Sequence, residues 1–238
     1  MFAAISPTLG TQPFNDWFTP DTVQRQPLGM TVTAVDPYWG TGKFVYLKSN
    51  DAILKGSLVM WTEAYLGVLL PTTAGQGFPF GVAMNSIPSG SYGWVQTEGF
   101  TVYKTNATVA ADTAVAVAAA GIAGTLAAGK QLLNTRNRIA ATGTKTFTAN
   151  TTLGSPNVVV PSGYDGAFLG MALSGTGIPA STVVAGLSPD GRTIYTGSAI
   201  GTIGDKNSTA TGSITLTGTF TGYGAAIINN PFAQGQIL

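Results

Sequence analysis

Short runs of β-branched, aromatic and aliphatic residues recur along the chain, each stopped within a few residues by Gly, Pro, Asn or Ser. Residues 30–35, 43–48, 57–61, 65–70, 93–96 and 100–104 have this form and are expected to be strands. Within 43–48, Phe, Val, Tyr and Leu follow one another, which suits a pleated, half-buried strand. The stops at 40–42, 49–51, 71–77 and 88–90 come often enough for a small barrel or sandwich. Residues 114–118 read either as a strand of small residues or as a helix, since Ala is the best helix former. Gly121, Gly124 and Gly129 argue against a long helix there.

Three zones separate along the chain. Residues 1–28 carry Pro7, Pro13, Pro20 and Pro27 with Phe2, Phe14, Trp17 and Phe18 between them. No helical or strand period survives that spacing of Pro, so an extended arm is expected. A disordered tail avoids such aromatics, so the arm should lie on a surface, its own or a neighbour's. Residues 29–141 hold three of the four Trp and most of the charge. Residues 142–221 hold 17 of the 34 Thr, no Trp and six charges. There, runs at 157–160, 182–185, 193–195 and 213–217 alternate with turns, and Asp190-Gly191 is a short hairpin signal. The tail 222–238 regains the small apolar character of residues before 142. The expected organisation is therefore all-β: an arm (1–28), a β-barrel or sandwich domain (29–141 plus 222–238), and an inserted Thr/Gly-rich β module (142–221). Surface loops tolerate such insertions; a tandem arrangement is the alternative.

Composition narrows the chemistry. Charged residues make up 9% of the 238, against roughly 25% in a typical soluble domain, and the net charge is +1. There is no Cys and no His. Disulfides, thiolate nucleophiles, Cys- or His-ligated metals and His-based acid–base machinery are excluded. No basic block supplies the electrostatic footprint of a nucleic-acid binder. The stretch 110–128 is Ala and Gly with few large side chains and includes Asp112, so a membrane span is not expected. The start, with no charged region and Pro7 interrupting its apolar residues, is expected to direct no export. A non-enzymatic protein without cofactor or metal is expected.

Three motifs carry a functional reading that the residues around them weaken. Gly124-Thr-Leu-Ala-Ala-Gly129-Lys130 matches a phosphate loop, but Gln131 stands where Ser or Thr would ligate magnesium, and no β–α alternation follows. Turn glycines beside a solvated Lys account for it better. Lys130, Arg136 and Arg138 form a small basic cluster, read as a solvated face. The ten carboxylates are scattered singly, with Asp165-Gly and Asp190-Gly as turn formers, so no acid pair for glycoside hydrolysis is promoted. Trp39, Trp61 and Trp94 fit core and interface packing better than a sugar platform.

Two stretches carry a resemblance. Gln24-Arg-Gln-Pro-Leu-Gly29 with Asp36-Pro-Tyr-Trp-Gly-Thr-Gly-Lys-Phe-Val-Tyr46 resembles small head proteins of tailed bacteriophages. Gly81-Val-Ala-Met-Asn85 and Gly93-Trp-Val-Gln-Thr-Glu-Gly99 resemble the same group, which includes capsid decoration (cement) proteins. Gly170-Met-Ala-Leu-Ser-Gly-Thr-Gly-Ile-Pro-Ala-Ser-Thr-Val-Val184 is similar to a β module of phage structural and fibre proteins, with Ser181 in place of the usual Gly. The resemblance covers about the first 140 residues and the module; it implies no catalytic residue. What it implies is a homo-oligomer, trimer or dimer, on the capsid surface of a virion, made in the host cytoplasm. Its partner would be the phage major capsid protein, not nucleic acid or membrane. Phe14, Trp17, Phe18, Arg25 and Trp39 are the candidate interaction residues. The alternative is a tail or fibre adhesin binding host-surface carbohydrate.

Overall fold

The computed structural model describes residues 3–4, 20–36, 40–139, 143–164, 167–168, 170–188, 190–199, 201–220 and 222–234. All regular elements among them are strands. The chain divides into two compact units, Met1–Thr142 with Gly222–Leu238, and Gly143–Thr221.

The first unit contains β1 (Ala3–Ala4), β2 (Thr31–Asp36), β3 (Gly40–Ser49), β4 (Leu58–Trp61), β5 (Leu66–Leu69), β6 (Phe80–Ala83), β7 (Tyr92–Lys104), β8 (Ala116–Ala119), β9 (Ile122–Gly124), β10 (Leu132–Ile139) and β17 (Tyr223–Ala233). Nine of them form a mixed sheet in the order β1-β2-β3-β5-β4-β6-β7-β17-β10, and β3 also pairs with β7. That extra pairing closes β3, β5, β4, β6 and β7 into a ring. The β3–β5 contact is parallel and the other pairings of the ring are antiparallel.

Strand periodicity sorts the side chains of the ring into separate cores. Val45 and Leu47 of β3 point inward to meet Val59, Ala83 and Val95 from the facing strands, together with Ile53 and Ile87. Phe44 and Tyr46, on the opposite face of β3, pack with Val32, Ala34 and Trp94. The strand is thus buried on both faces, not half-buried, because residues 20–30 cover what would have been the solvent side of β3 and of its neighbour β2. A third core lies over the outer faces of β4 and β6, where Leu58, Phe80 and Val82 meet Tyr103, Val115, Val117, Leu132 and Ile228. The β8–β9 hairpin caps it: Leu58 N–H donates to Gly121 O and Gly121 N–H to Leu70 O, both at 2.8 Å. The stretch 114–118, open between helix and strand from its composition, thus contributes to β8. Each large side chain buried in these cores contributes about 1.5–3 kcal/mol.

Residues 93–96 and 100–104, expected as two strands, are one 13-residue strand, β7. Gly99 does not end it. The glycine takes φ +99° and lets Thr41 O approach to where a Cβ would be 2.4 Å away, so the chain kinks and goes on.

The second unit is a closed barrel of six antiparallel strands: β11 (Gly143–Thr151), β12 (Asn157–Val159), β13 (Ala172–Ser174), β14 (Thr182–Leu187), β15 (Thr193–Gly197) and β16 (Gly212–Phe220), in the order β11-β12-β15-β14-β13-β16. Phe147, Ala149, Val158, Leu173, Val184, Ile194 and Leu216 are buried and alternate with outward-facing neighbours, except at the β14 bulge, where Ala185 is buried next to Val184. Asp190-Gly191 turns β14 into β15, with Gly191 at φ +75°.

Candidate interaction surface

Tyr46 is the centre of a connected polar site in the first unit. Its ring is fully buried, stacked on Tyr92 (centroids 6.1 Å, planes 11° apart) and tilted against Trp94 at 5.0 Å. Its hydroxyl donates to Asp21 Oδ2 at 2.7 Å and accepts from the Arg25 backbone N–H at 3.4 Å. Arg25 Nε lies 3.1 Å from Asp21 Oδ1, so one carboxylate holds both the tyrosine and the arginine. Main-chain bonds fasten the same segment: Asp21 and Tyr92 exchange N–H···O bonds at 2.9 and 2.8 Å, and Gly29 N–H donates to Tyr46 O at 2.8 Å. Lys48 Nζ stands 5.8 Å from the Tyr92 ring centroid. Burial, and then the hydrogen bond to Asp21, push the Tyr46 hydroxyl well above the usual tyrosine range, so it remains a donor at neutral pH.

Of the residues singled out in the sequence, Arg25 belongs to this site. Phe14, Trp17, Phe18 and Trp39 lie outside the described residues. Trp61 and Trp94 are packing residues of two different cores.

The basic cluster has an internal partner. Arg138 Nη1 lies 2.8 Å and Arg136 Nε 3.4 Å from Asp112 Oδ1, all three exposed. The glycine-rich stretch 124–130 joins β9 to β10, strand to strand, so it does not open the helix whose N-terminus a phosphate loop needs. Several carboxylates hold structure. Asp51 Oδ2 accepts from Leu69 N–H at 2.9 Å, and Glu98 Oε1 accepts from Lys43 Nζ at 2.8 Å and Asn230 Nδ2 at 2.7 Å. The Lys43 hydrogen bond holds the Glu98 carboxyl below its usual range. Asp190 and Asp205 are likewise lowered by the hydroxyls of Ser188 and Ser198. No group of three or more acidic residues among the described residues could hold a metal ion.

Two surfaces take their form only in the fold. On the barrel, β11 and β16 pair Thr144 with Thr219, Thr146 with Thr217, Thr148 with Thr215 and Asn150 with Ser213. Ser174 of β13 continues the Thr146–Thr217 row. The result is an outward ladder of hydroxyls without a charged side chain, spaced about 4.8 Å across strands and about 6.8 Å along them. Its signal was the Thr-x-Thr-x-Thr pattern at 144–148 and again at 215–219. On the first unit, Phe78, Leu126, Leu133 and Phe232 are exposed around one end of the β10–β17 ribbon. No local pattern marks these, since they meet only through the register of β10 on β17. Set beside protein-family models, curated proteins and solved structures, the chain matches none of them.

Proposed function

We propose that this protein is a non-enzymatic virion component that binds the outside of a phage capsid across capsomer seams and stabilises the shell. The observation that carries the reading is the fastening of residues 20–30 through Asp21, Arg25 and Tyr46. The Pro- and aromatic-rich residues ahead of that segment are thereby joined to a fixed point on a closed β unit. The pairing of Ala3 and Ala4 with β2 holds the stretch on its other side, and an aromatic stretch held at both ends suits a subunit that presents it to a neighbour, because less of the chain has to be ordered on binding. Area buried across a seam must be given up before the shell opens, so occupancy raises the stability of the closed state.

The test is co-sedimentation of the purified protein with expanded phage heads that lack it. Saturable binding at a fixed ratio to the capsid protein, with greater heat resistance of the heads, is expected. Joint substitution of Phe14, Trp17 and Phe18 by Ala should abolish binding while leaving the fold intact; normal sedimentation of that variant with heads would refute the role of the arm. A second reading, an adhesin for host-surface carbohydrate, is favoured by the uncharged hydroxyl ladder on β11 and β16. It predicts adsorption to host cells, loss of that adsorption on Thr146→Lys, and no affinity for heads.

A further inference from the structure

We propose that one end of the first unit, built from residues 72–79, 124–134 and 230–234, is a self-association surface whose occupant is a second copy of this chain. The inference is independent of shell binding, because it is read on the isolated protein. Four large apolar side chains stand exposed there: Phe78 at 48%, Leu126 at 59%, Leu133 at 38% and Phe232 at 37%. Leu133 and Phe232 are direct cross-strand partners, and Phe232 bridges to Pro79, the neighbour of Phe78. Side chains paired in this way lie about 5 Å apart on one face.

The surface is also held in shape. Ala233 N–H donates to Phe78 O at 2.9 Å, Gly75 N–H to Gly129 O at 2.9 Å and Gln234 N–H to Gln131 O at 2.8 Å, while Gln234 Oε1 accepts from Gln131 N–H at 3.3 Å. These bonds tie the loop before β6, the β9–β10 loop and the end of β17 to one another. Association therefore orders little that is not already ordered.

Charge and area point to the occupant. The three segments contain one charged residue, Lys130. A partner presenting a field of charges would find almost nothing to pair with. The polar groups among the apolar ones are uncharged hydroxyls and amides, with Thr73, Thr125, Asn134 and Asn230 exposed and Gln76, Gln131 and Gln234 partly so; such groups both donate and accept and so complement themselves across a symmetry axis. The exposed parts of the four large side chains amount to roughly 300 Å², the size of patch that is often functional on a monomer. Two such patches make up about half of the roughly 1,200 Å² that the smallest stable interfaces bury, and the exposed Ala74, Pro79 and Ala128 around them add to it.

The experiment is sedimentation velocity of the full chain over about 1 to 100 µM, with Leu133→Asp, Phe232→Asp and Leu126→Glu measured alongside. Leu126 lies on a loop and its substitution leaves every strand intact, so it guards against misfolding of the other two. The parent chain is expected to form a concentration-dependent oligomer from its 24.3 kDa protomer. Each variant should weaken association by at least about 30-fold, the loss expected for a central interface residue, with unchanged thermal unfolding by Trp fluorescence. A parent chain that stays monomeric throughout overturns the proposal. So does an oligomer that all three variants leave intact.

Discussion

Replacing Tyr46 by Phe tests the fastening of residues 20–30 without disturbing the ring that covers them. The substitution removes one hydroxyl and keeps the stacking on Tyr92 and Trp94. Two bonds are lost, a short one to the Asp21 carboxylate and a longer one from the Arg25 N–H. A hydrogen bond to a charged group contributes about 1.5–3 kcal/mol when shielded from water. Asp21 keeps 22% of its side-chain surface and its contact with Arg25, so water and arginine recover part of that loss. A net cost of about 1–2 kcal/mol follows, equivalent to roughly 5- to 30-fold in the opening equilibrium of the segment. Amide hydrogen exchange reads this directly. The Asp21, Gly29 and Tyr92 amides, bonded between the segment and the ring strands, should exchange faster by that factor, while those of Val45 and Val95 keep their parent rates. Asp21→Ala should act more strongly, since it leaves a buried hydroxyl with only the distant Arg25 N–H. Unchanged exchange at the three amides, or an equal rise at Val45 and Val95, would show that the segment is not separately latched by this hydroxyl. Alkali gives a second readout. The folded Tyr46 hydroxyl titrates above its ordinary value of 10.0, so its contribution is complete below about pH 10 and is lost as the pH rises beyond it. The Phe variant should lack that alkaline loss.

The buried pair behind β10 gives a larger effect: Tyr103 OH donates to Asn137 Oδ1 at 2.9 Å, and Asn137 Nδ2 reaches Val109 O at 3.1 Å and Ala110 O at 2.8 Å. Asn137→Leu should cost about 3–5 kcal/mol by stranding these partners, and the double variant with Tyr103→Phe should be less than additive in a denaturation cycle followed by Trp fluorescence. The lowered Glu98 carboxyl adds stability that is complete above its ordinary value of 4.5 and lost as pH falls through the folded value; Glu98→Gln should flatten that acid limb in urea titrations, with a loss of about 0.5 kcal/mol at neutral pH. Gly197→Ala would bring a Cβ to 1.8 Å from Thr202 O, so the barrel transition in circular dichroism should shift down by about 2–3 kcal/mol. An unchanged barrel transition would mean that residues 199–204 yield freely.

The all-β class was legible because short apolar runs between turn residues leave little room for helices, and the runs at 30–35, 43–48, 57–61 and 65–70 fall on β2 to β5. What was not legible depends on partners distant in sequence. Burial of Phe44 and Tyr46 on the second face of β3 comes from residues 20–30, and nothing in the alternation of 43–48 announces that cover. The closure of the ring rests on β3 pairing with β5 in parallel and with β7 antiparallel, a matter of register, not of propensity. At the site, Arg25 could be singled out, but its tie to Asp21 and the role of Tyr46 required the fold. Lys130, Arg136 and Arg138 read as one basic cluster; Asp112, on a separate loop with φ +58°, joins two of them into an ion-pair group. The repeated Thr-x-Thr pattern was visible, yet only the register of Thr148 on Thr215 turns it into a ladder.

Sheets are usually kept from pairing edge to edge by charged side chains on the exposed strands, and a chain with 9% charged residues has few to spend. Closure takes their place here. In the second unit six strands return on themselves, so the barrel has no end strand, and the outer face can carry Thr instead of Lys and Glu. In the first unit five strands close, and the end strands of the larger sheet are shielded locally. Ala3 and Ala4 pair with Val35 and Ala34 of β2. Residues 113 and 115 take the Asn137 and Leu132 N–H groups of β10 at 2.9 Å each. A net charge of +1 supplies little electrostatic repulsion, so keeping sheets apart falls to hydroxyls and to strand closure. A fold kept apart in this way should remain monodisperse in size, monomer or closed oligomer, from low salt to about 0.5 M, because screening removes nothing it depends on. Progressive aggregation as salt is added, followed by light scattering, would show instead that the few charges, and not closure, keep its sheets apart.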